Sequence, residues 1–209
     1  MKEVKPSPKR DRAATTRKRI IDAAHAEFLQ KGFQGATFAA IAKSAGVAVQ
    51  TVYFVFHTKP ELISAVIDAA VLGEEPVAPE DSSWWQAMVA EEQPVEALRC
   101  FIRGASPLFE RASGISEVLR AAALTDSDVR RTHEFHDSLQ RAGFRAVIDL
   151  LMAKGSLRAG LDAETAADIL LTVFGDSTYH LLRTERGWSQ EQVVAWYCEA
   201  LPLLLFPVE

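Results

Sequence analysis

The chain has 209 residues, 48% hydrophobic and 24% charged, which is ordinary for a soluble globular protein and enough for one large or two small domains. No run of about 18 apolar residues indicates a membrane span, and the polar N-terminus lacks the apolar stretch of a secretory signal. The net charge of −5 is unevenly placed: residues 1–60 hold eleven Lys and Arg against four Asp and Glu (+7), and residues 61–209 hold twelve against twenty-four (−12). A basic head on an acidic body suggests that only the head meets a polyanion.

Residues 1–15 carry Lys2, Lys5, Lys9, Arg10 and Arg12 with Pro6 and Pro8 and almost nothing apolar. They predict a flexible basic arm, either a solubilising tail or a DNA-seeking segment. A first helix over 16–31 follows, with Ile20, Ala24 and Phe28 every four residues, Gly32 as its stop and Phe33 as the apolar contact of the cap. His25 reads as a surface residue. Residues 37–56 then read as two short helices joined by a tight turn. Thr37 is the expected N-cap; Ile41, Ala42 and Ala45 share a face; Gly46 supplies the turn and Val47 an apolar plug. On the second of these helices Val52 and Phe56 face inward, while Gln50, Tyr53 and His57 lie on another face. An amide, a phenol and an imidazole on a short helix suit a DNA major groove. Thr58 and Glu61 are spaced as a capping box, with Pro60 in the first turn of a connecting helix over 61–73. That helix is apolar on two sides and Gly73 ends it.

Residues 74–83 have the composition of a linker. Trp84 and Trp85 open a short segment to Ala90, and a helix starts at Pro94. Pro107 predicts a kink or break between Arg103 and Pro107, Ser113 and Gly114 an end, and Ile115–Leu124 a further short helix. The longest helix runs from Thr125–Asp128 to about residue 154, with Phe135, Leu139, Ala142, Ala146 and Leu150 near one face. Asp162 caps a helix over 163–185 that is small on one side (Ala166, Ala167, Gly175) and bulky on the other. Ser189 with Gln192 caps the last helix, which Pro202 kinks or ends. Val193, Trp196, Tyr197, Leu201 and Leu204 leave that helix little polar face, so it is either central to its own core or half of a dimer interface. The dimer is the preferred reading, with Ala166 and Gly175 as further interface residues. No strand pattern survives, and the fold class is all-α.

Cys100 and Cys198 offer neither a disulfide framework nor metal spacing; they read as buried thiols of a reducing cytoplasm, with a redox sensor as the alternative. His133 and His136 lie three apart beside acidic residues and read as a solvated face rather than a metal site. Asp176 and His180 are four apart and able to pair, as structure, at a dimer seam or as polar anchors of a pocket. Trp84, Trp85, Phe101, Phe109, Phe135 and Tyr179 are core candidates that also suit an apolar effector cavity, with Arg103 contributing a carbonyl freed by Pro107. No nucleophile elbow, phosphate loop or metal cluster is present, so no catalytic residue, metal or cofactor is expected.

The stretch from Arg17 to Val71 resembles the DNA-binding domain of the TetR family of bacterial transcriptional regulators. Phe28, Gly32, Phe33, Thr37, Ile41, Ala42, Ala45, Gly46, Val47, Val52, Tyr53, Phe56, Thr58, Lys59, Glu61 and Leu62 carry the resemblance in order. It implies a helix-turn-helix domain over 16–60 and an effector-binding and dimerisation domain over 74–209. It implies partners too: a palindromic double-stranded operator, a second copy of the chain and an apolar or amphipathic small molecule. Residue by residue it implies phosphate contacts from Thr37, Tyr53 and Lys59, and base or backbone contacts from Gln50 and Thr51. Two positions depart from the family pattern. Ala48 replaces the usual Ser or Thr cap, and Val55 replaces a polar residue, so a contact there is apolar, as to a thymine methyl. A helical interaction module and a regulator without an effector are the rival readings.

Overall fold

The computed structural model describes residues 8–73 and 78–207, and these are helical throughout their regular structure, with no strand among them. Ten α-helices follow in order: α1 (Pro8–Gly35), α2 (Phe38–Ala45), α3 (Val49–Val55), α4 (Lys59–Leu72), α5 (Ser83–Ala90), α6 (Pro94–Ala123), α7 (Ser127–Met152), α8 (Ala163–Phe174), α9 (Asp176–His180) and α10 (Gln190–Leu205). A 3-10 turn at Pro79–Asp81 precedes α5, and a π-helix at Leu181–Glu185 follows α9.

The chain divides into two compact units, one of residues up to Ala69 with Val118–Thr132, the other of Ala70–Glu117 with His133 onward. The boundary falls inside three helices, so α4, α6 and α7 each contribute residues to both units.

In the first unit α1 packs on α2 and α2 on α3 around Ile20, Phe28, Ile41, Val52, Phe56 and Leu62, all fully buried. Helix α1 starts at Pro8 rather than near residue 16, so the arm expected over 1–15 is helical from Pro8 onward; residues 1–7 lie outside the described residues. The segment that follows Pro8 is rich in Arg and Ala, good helix formers, and proline is tolerated in a first turn. Gly32 leaves the helical region at φ 67°, and Phe33 folds back onto Phe28 with centroids 5.8 Å apart, as the cap requires. Helix α2 ends at Gly46 in the left-handed region, where Val47 donates to the Ala42 carbonyl at 3.0 Å. That close is open to glycine with little strain.

The second unit surrounds a core of Leu98, Phe101, Ile102, Phe109, Phe144, Ile148, Leu170, Phe174, Tyr179, Tyr197 and Leu201. Helix α6 departs from expectation: it runs unbroken through Pro107, Ser113 and Gly114 for 30 residues. Ile102, Ala105, Phe109 and Ala112 are buried at helical spacing on both sides of the proline, and Ser106 Oγ donates to the Ile102 carbonyl at 2.6 Å. Packing on two sides overrides the local cost of proline. The Trp84 side chain lies against Gly104, where a Cβ would come within 2.4 Å of it, so only glycine fits there.

The helix expected over 163–185 is three pieces. Gly175 separates α8 from α9, and the chain then widens into the π-helix, closed by Arg186 donating to the Leu181 carbonyl at 3.0 Å. Helix α10 also continues through Pro202 to Leu205. Its capping box forms in both directions, Ser189 Oγ accepting from the Gln192 amide at 3.2 Å and Gln192 from the Ser189 amide at 2.8 Å. Asp162 caps α8 through Thr165 at 2.8 Å.

Candidate nucleic-acid interface

Helices α2 and α3 meet at 105°, within the range of helix-turn-helix pairs. Thr37 Oγ1 accepts from the Ala40 amide at 3.2 Å and remains exposed, which fixes the start of α2. No side chain caps α3, because Ala48 stands at that position. Val52 and Phe56 anchor α3 inward; Gln50 is exposed, Thr51 half-buried and Tyr53 exposed with its ring edge-on against Phe38 at 4.7 Å. Val55 is half-buried. Phe54, which the sequence reading passed over, is the most exposed large apolar residue described, at 83%.

His57 and Lys59 are held by the fold. The capping box at the start of α4 is shifted: Thr58 Oγ1 accepts from the Glu61 amide at 3.2 Å, but Glu61 Oε2 accepts from His57, one residue earlier, at 3.1 Å. The same carboxylate lies 3.4 Å from His57 Nδ1, on an otherwise exposed ring. Lys59 Nζ donates to the Ala36 carbonyl at 3.2 Å and the Gln34 carbonyl at 3.5 Å, and sits 4.5 Å from the Phe33 ring centroid. Burial lowers its pKa, opposed by the Asp126 charge. The Lys59 side chain therefore clamps the turn between α1 and α2 through neutral carbonyl acceptors. Arg19 does the same for the end of α2, donating to the Ala45 carbonyl and, at 3.2 Å, to that of Gly46. His25 is half-buried rather than on the surface; its Nε2 is buried without a partner, and burial lowers its pKa against the opposing charge of Asp22.

The residues marked for an effector divide in the second unit. Trp84 and Trp85 pack on one another with centroids 6.0 Å apart, and Trp84 reaches Phe101 at the same distance. Phe101 and Phe109 meet Phe174 at 5.4 and 4.8 Å, and Phe109 stacks on Tyr179 at 6.0 Å. Phe135 does not join them: it is exposed beside His136, because its side of α7 faces away from the buried stripe of Phe144, Val147 and Ile148. Arg103 is exposed as well.

Asp176 and His180 do not pair. Asp176 takes Gln140 at 3.4 Å and Ser116, while His180 Nδ1 lies 3.4 Å from Thr184 Oγ1. Asp176 Oδ1 is buried without a partner. Burial lifts the Asp176 pKa to about 6, Glu117 adding to the shift and Ser116 and Gln140 opposing it. A neighbouring network escaped the sequence reading. Glu110 accepts two bonds from Arg183, at 2.8 and 2.7 Å, and one from the Tyr179 hydroxyl at 2.9 Å. The Arg183 bonds hold the Glu110 carboxyl below its usual pKa. Partners 73 residues apart leave no local signal.

The expected dimer residues need correction. Ala166, Val193, Tyr197 and Leu201 are fully buried in the core of one chain and Gly175 is also buried, so none of the five offers a surface to a second copy. Ala166, Val193, Tyr197 and Leu201 sit on the sides of α8 and α10 that close on Phe174 and the rest of that core, and Gly175 lies between α8 and α9. Trp196 and Leu204 keep partial exposure.

Comparison with known proteins gives these placements a lineage. A family model described as "Bacterial regulatory proteins, tetR family" matches residues 20–66, the segment containing α2 and α3. The chain is 27% identical over 183 residues to the HTH-type transcriptional repressor BepR of Brucella suis, covering 84% of this chain and 85% of that one. It is 38% identical over 60 residues to the probable HTH-type transcriptional regulator ArpR of Pseudomonas putida, 29% of each. Among solved structures, native NalD of Pseudomonas aeruginosa, titled the secondary repressor of the MexAB-OprM multidrug efflux pump, superposes with a TM-score of 0.72 at 20% identity, covering 94% of this chain and 100% of NalD. Residues 20–66 thus form a DNA-binding domain of the TetR family of bacterial regulatory proteins, with α2 and α3 as its helix-turn-helix.

Proposed function

We propose that the chain is a cytoplasmic repressor that binds a palindromic operator as a homodimer and releases it when an apolar or amphipathic small molecule binds the body. The observation that carries the DNA half is the outward face of α3, where Gln50 and Tyr53 stand exposed opposite the buried Val52 and Phe56. Thr37, Thr51, His57 and Lys59 flank that face as further DNA contacts. Similarity to BepR and NalD, both named repressors, supports repression over activation. The chain acts in this reading as a binding protein and not as an enzyme. In a dimer, the partly exposed Trp196 and Leu204 of α10 face the second copy.

For the effector half, the support is the aromatic group of Trp84, Phe101, Phe109 and Tyr179 with Asp176 Oδ1 unpartnered nearby in sequence. Because α4, α6 and α7 each belong to both units, a ligand that prefers one arrangement of these helices biases the reading head. One observation favours a regulator without an effector: Phe101, Phe109 and Tyr179 are already buried in the core of the chain. Linkage separates the two readings. Small molecules that quench the tryptophan fluorescence are titrated with and without a selected operator duplex. The inducible reading expects weaker binding in the presence of operator, by about 5–150-fold. Equal affinity leaves a DNA-binding dimer without a switch. Failure to retard any duplex in a salt-sensitive, sequence-dependent way sinks the repressor itself.

A further inference from the structure

We propose that Phe54 reads a thymine methyl group in each half-site of the operator, next to the base edge taken by Gln50. The inference rests on α3 entering the major groove. Phe54 and Phe56 are two residues apart, yet Phe56 is wholly buried and Phe54 is 83% exposed. At about 100° per residue, Gln50 and Phe54 lie about 160° and 200° round the helix from the buried Val52. They straddle the outermost line of α3, further from the core than Tyr53, at about 100°. A phenyl ring at the outermost point of a surface helix has nothing in its own unit to cover it. The groove offers one apolar feature on its base edges, the 5-methyl of thymine. Gln50, one turn earlier, is the side chain that pairs in bidentate fashion with adenine. Residues four apart on a helix place their side chains about 6 Å apart, within reach of neighbouring base pairs. Val55, the expected apolar contact, is half-buried on the flank of the helix, so this role passes to Phe54.

The test replaces methyl groups one at a time. A duplex selected by the wild-type protein from a random pool is remade with each thymine changed to deoxyuridine, which pairs identically but lacks the methyl. Wild type should lose about four-fold in affinity at one position per half-site, the value of one buried methyl group. Phe54→Ala should bind the thymine and uracil duplexes equally, with an unchanged melting temperature because the ring is exposed. Gln50→Ala should keep the thymine preference and lose discrimination elsewhere in the half-site. If every deoxyuridine duplex binds wild type as well as the parent, or if Phe54→Ala keeps the preference, the inference is overturned. Failure to select any sequence overturns it together with the groove docking of α3, a separately visible result.

Discussion

Phe54 and Phe56 face opposite ways on the short α3 of the head, whereas Phe101, Phe109, Phe144 and Phe174 of the body all turn inward and pack ring on ring. The charges differ in a parallel way. In the head Lys59 and Arg19 bond to backbone carbonyls, and Arg17 sits 4.4 Å from the centroid of the Phe56 ring, arrangements that satisfy a cation without cancelling its charge. In the body Arg183 pairs with Glu110, Arg141 with Asp168 and Arg145 with Asp149, each cation beside an anion. The head has its own ion pairs, Lys18 with Asp22 and Lys31 with Glu27 on α1 and His57 beside Glu61 just after α3, while Lys59 and Arg19 bond to carbonyls. A surface meant for a polyanion keeps its positive field by bonding to neutral acceptors. The body mixes the two kinds, since Arg111 and Lys154 bond to the Ala70 and Val89 carbonyls, but it buries the ring cluster around Phe174.

Substitutions at five positions test that contrast. The largest effect is expected in the body core: Leu201→Ala removes a fully buried side chain and should cost about 2–5 kcal/mol in urea unfolding. Leu203→Ala, two residues on and exposed, should stay within about 0.5 kcal/mol. Equal losses at the two sites would refute the division of α10 into an inner and an outer side.

Next is Asp176. Its folded pKa is raised to about 6 from 3.8, so folding favours the protonated form. Wild-type stability from this group is full below its unfolded pKa and is lost as pH rises through about 6. Asp176→Asn should therefore be more stable than wild type by about 2–3 kcal/mol above neutrality, with the gap closing in acid. Glu110 runs the other way. Its folded pKa is lowered, so its contribution is present above the unfolded pKa and disappears as pH falls through the folded one. Chemical unfolding across the pH range should reveal both trends, and a pH-independent gap for Asp176→Asn would contradict the assignment.

In the head, Lys59→Ala removes two carbonyl bonds and a ring contact and should cost about 1–2 kcal/mol. If the same ammonium also meets a phosphate, the slope of log affinity against log salt should fall by about one unit. Lost stability with an unchanged slope would make Lys59 a clamp of the turn alone. The smallest effect is at Thr37, where Ala should cost about 1 kcal/mol through the lost cap and Ser should restore it. A full-strength Thr37→Ala variant would mean that the bond to the Ala40 amide contributes nothing.

The turn at Gly46, the Thr37 cap and the Ser189–Gln192 box were legible in the chain because each depends on residues a few positions apart. So were the inward faces of Val52 and Phe56. Phe54 was missed for a related reason. Hydropathy places a phenylalanine in a core, and only the helical phase set by Val52 and Phe56 turns this one outward. At Pro107 the local rule misled, since it measures the lost bond and not the packing on either side. The end of α10 misled in the opposite sense: a helix apolar nearly all round fits a core and an interface equally well.

By itself, then, the sequence determined the caps, the turns, the helical periods and the basic head, all of them properties of short stretches of chain. Tertiary structure decided that α6 runs through its proline, that Arg183 finds Glu110 and that Leu201 faces its own core. It also decided that Lys59 clamps the turn between α1 and α2. These outcomes depend on distant partners, 23 positions away along the chain for Lys59 and 73 for Arg183. Their energies come from burial and from pairing in a shared interior, which no local pattern of residues records.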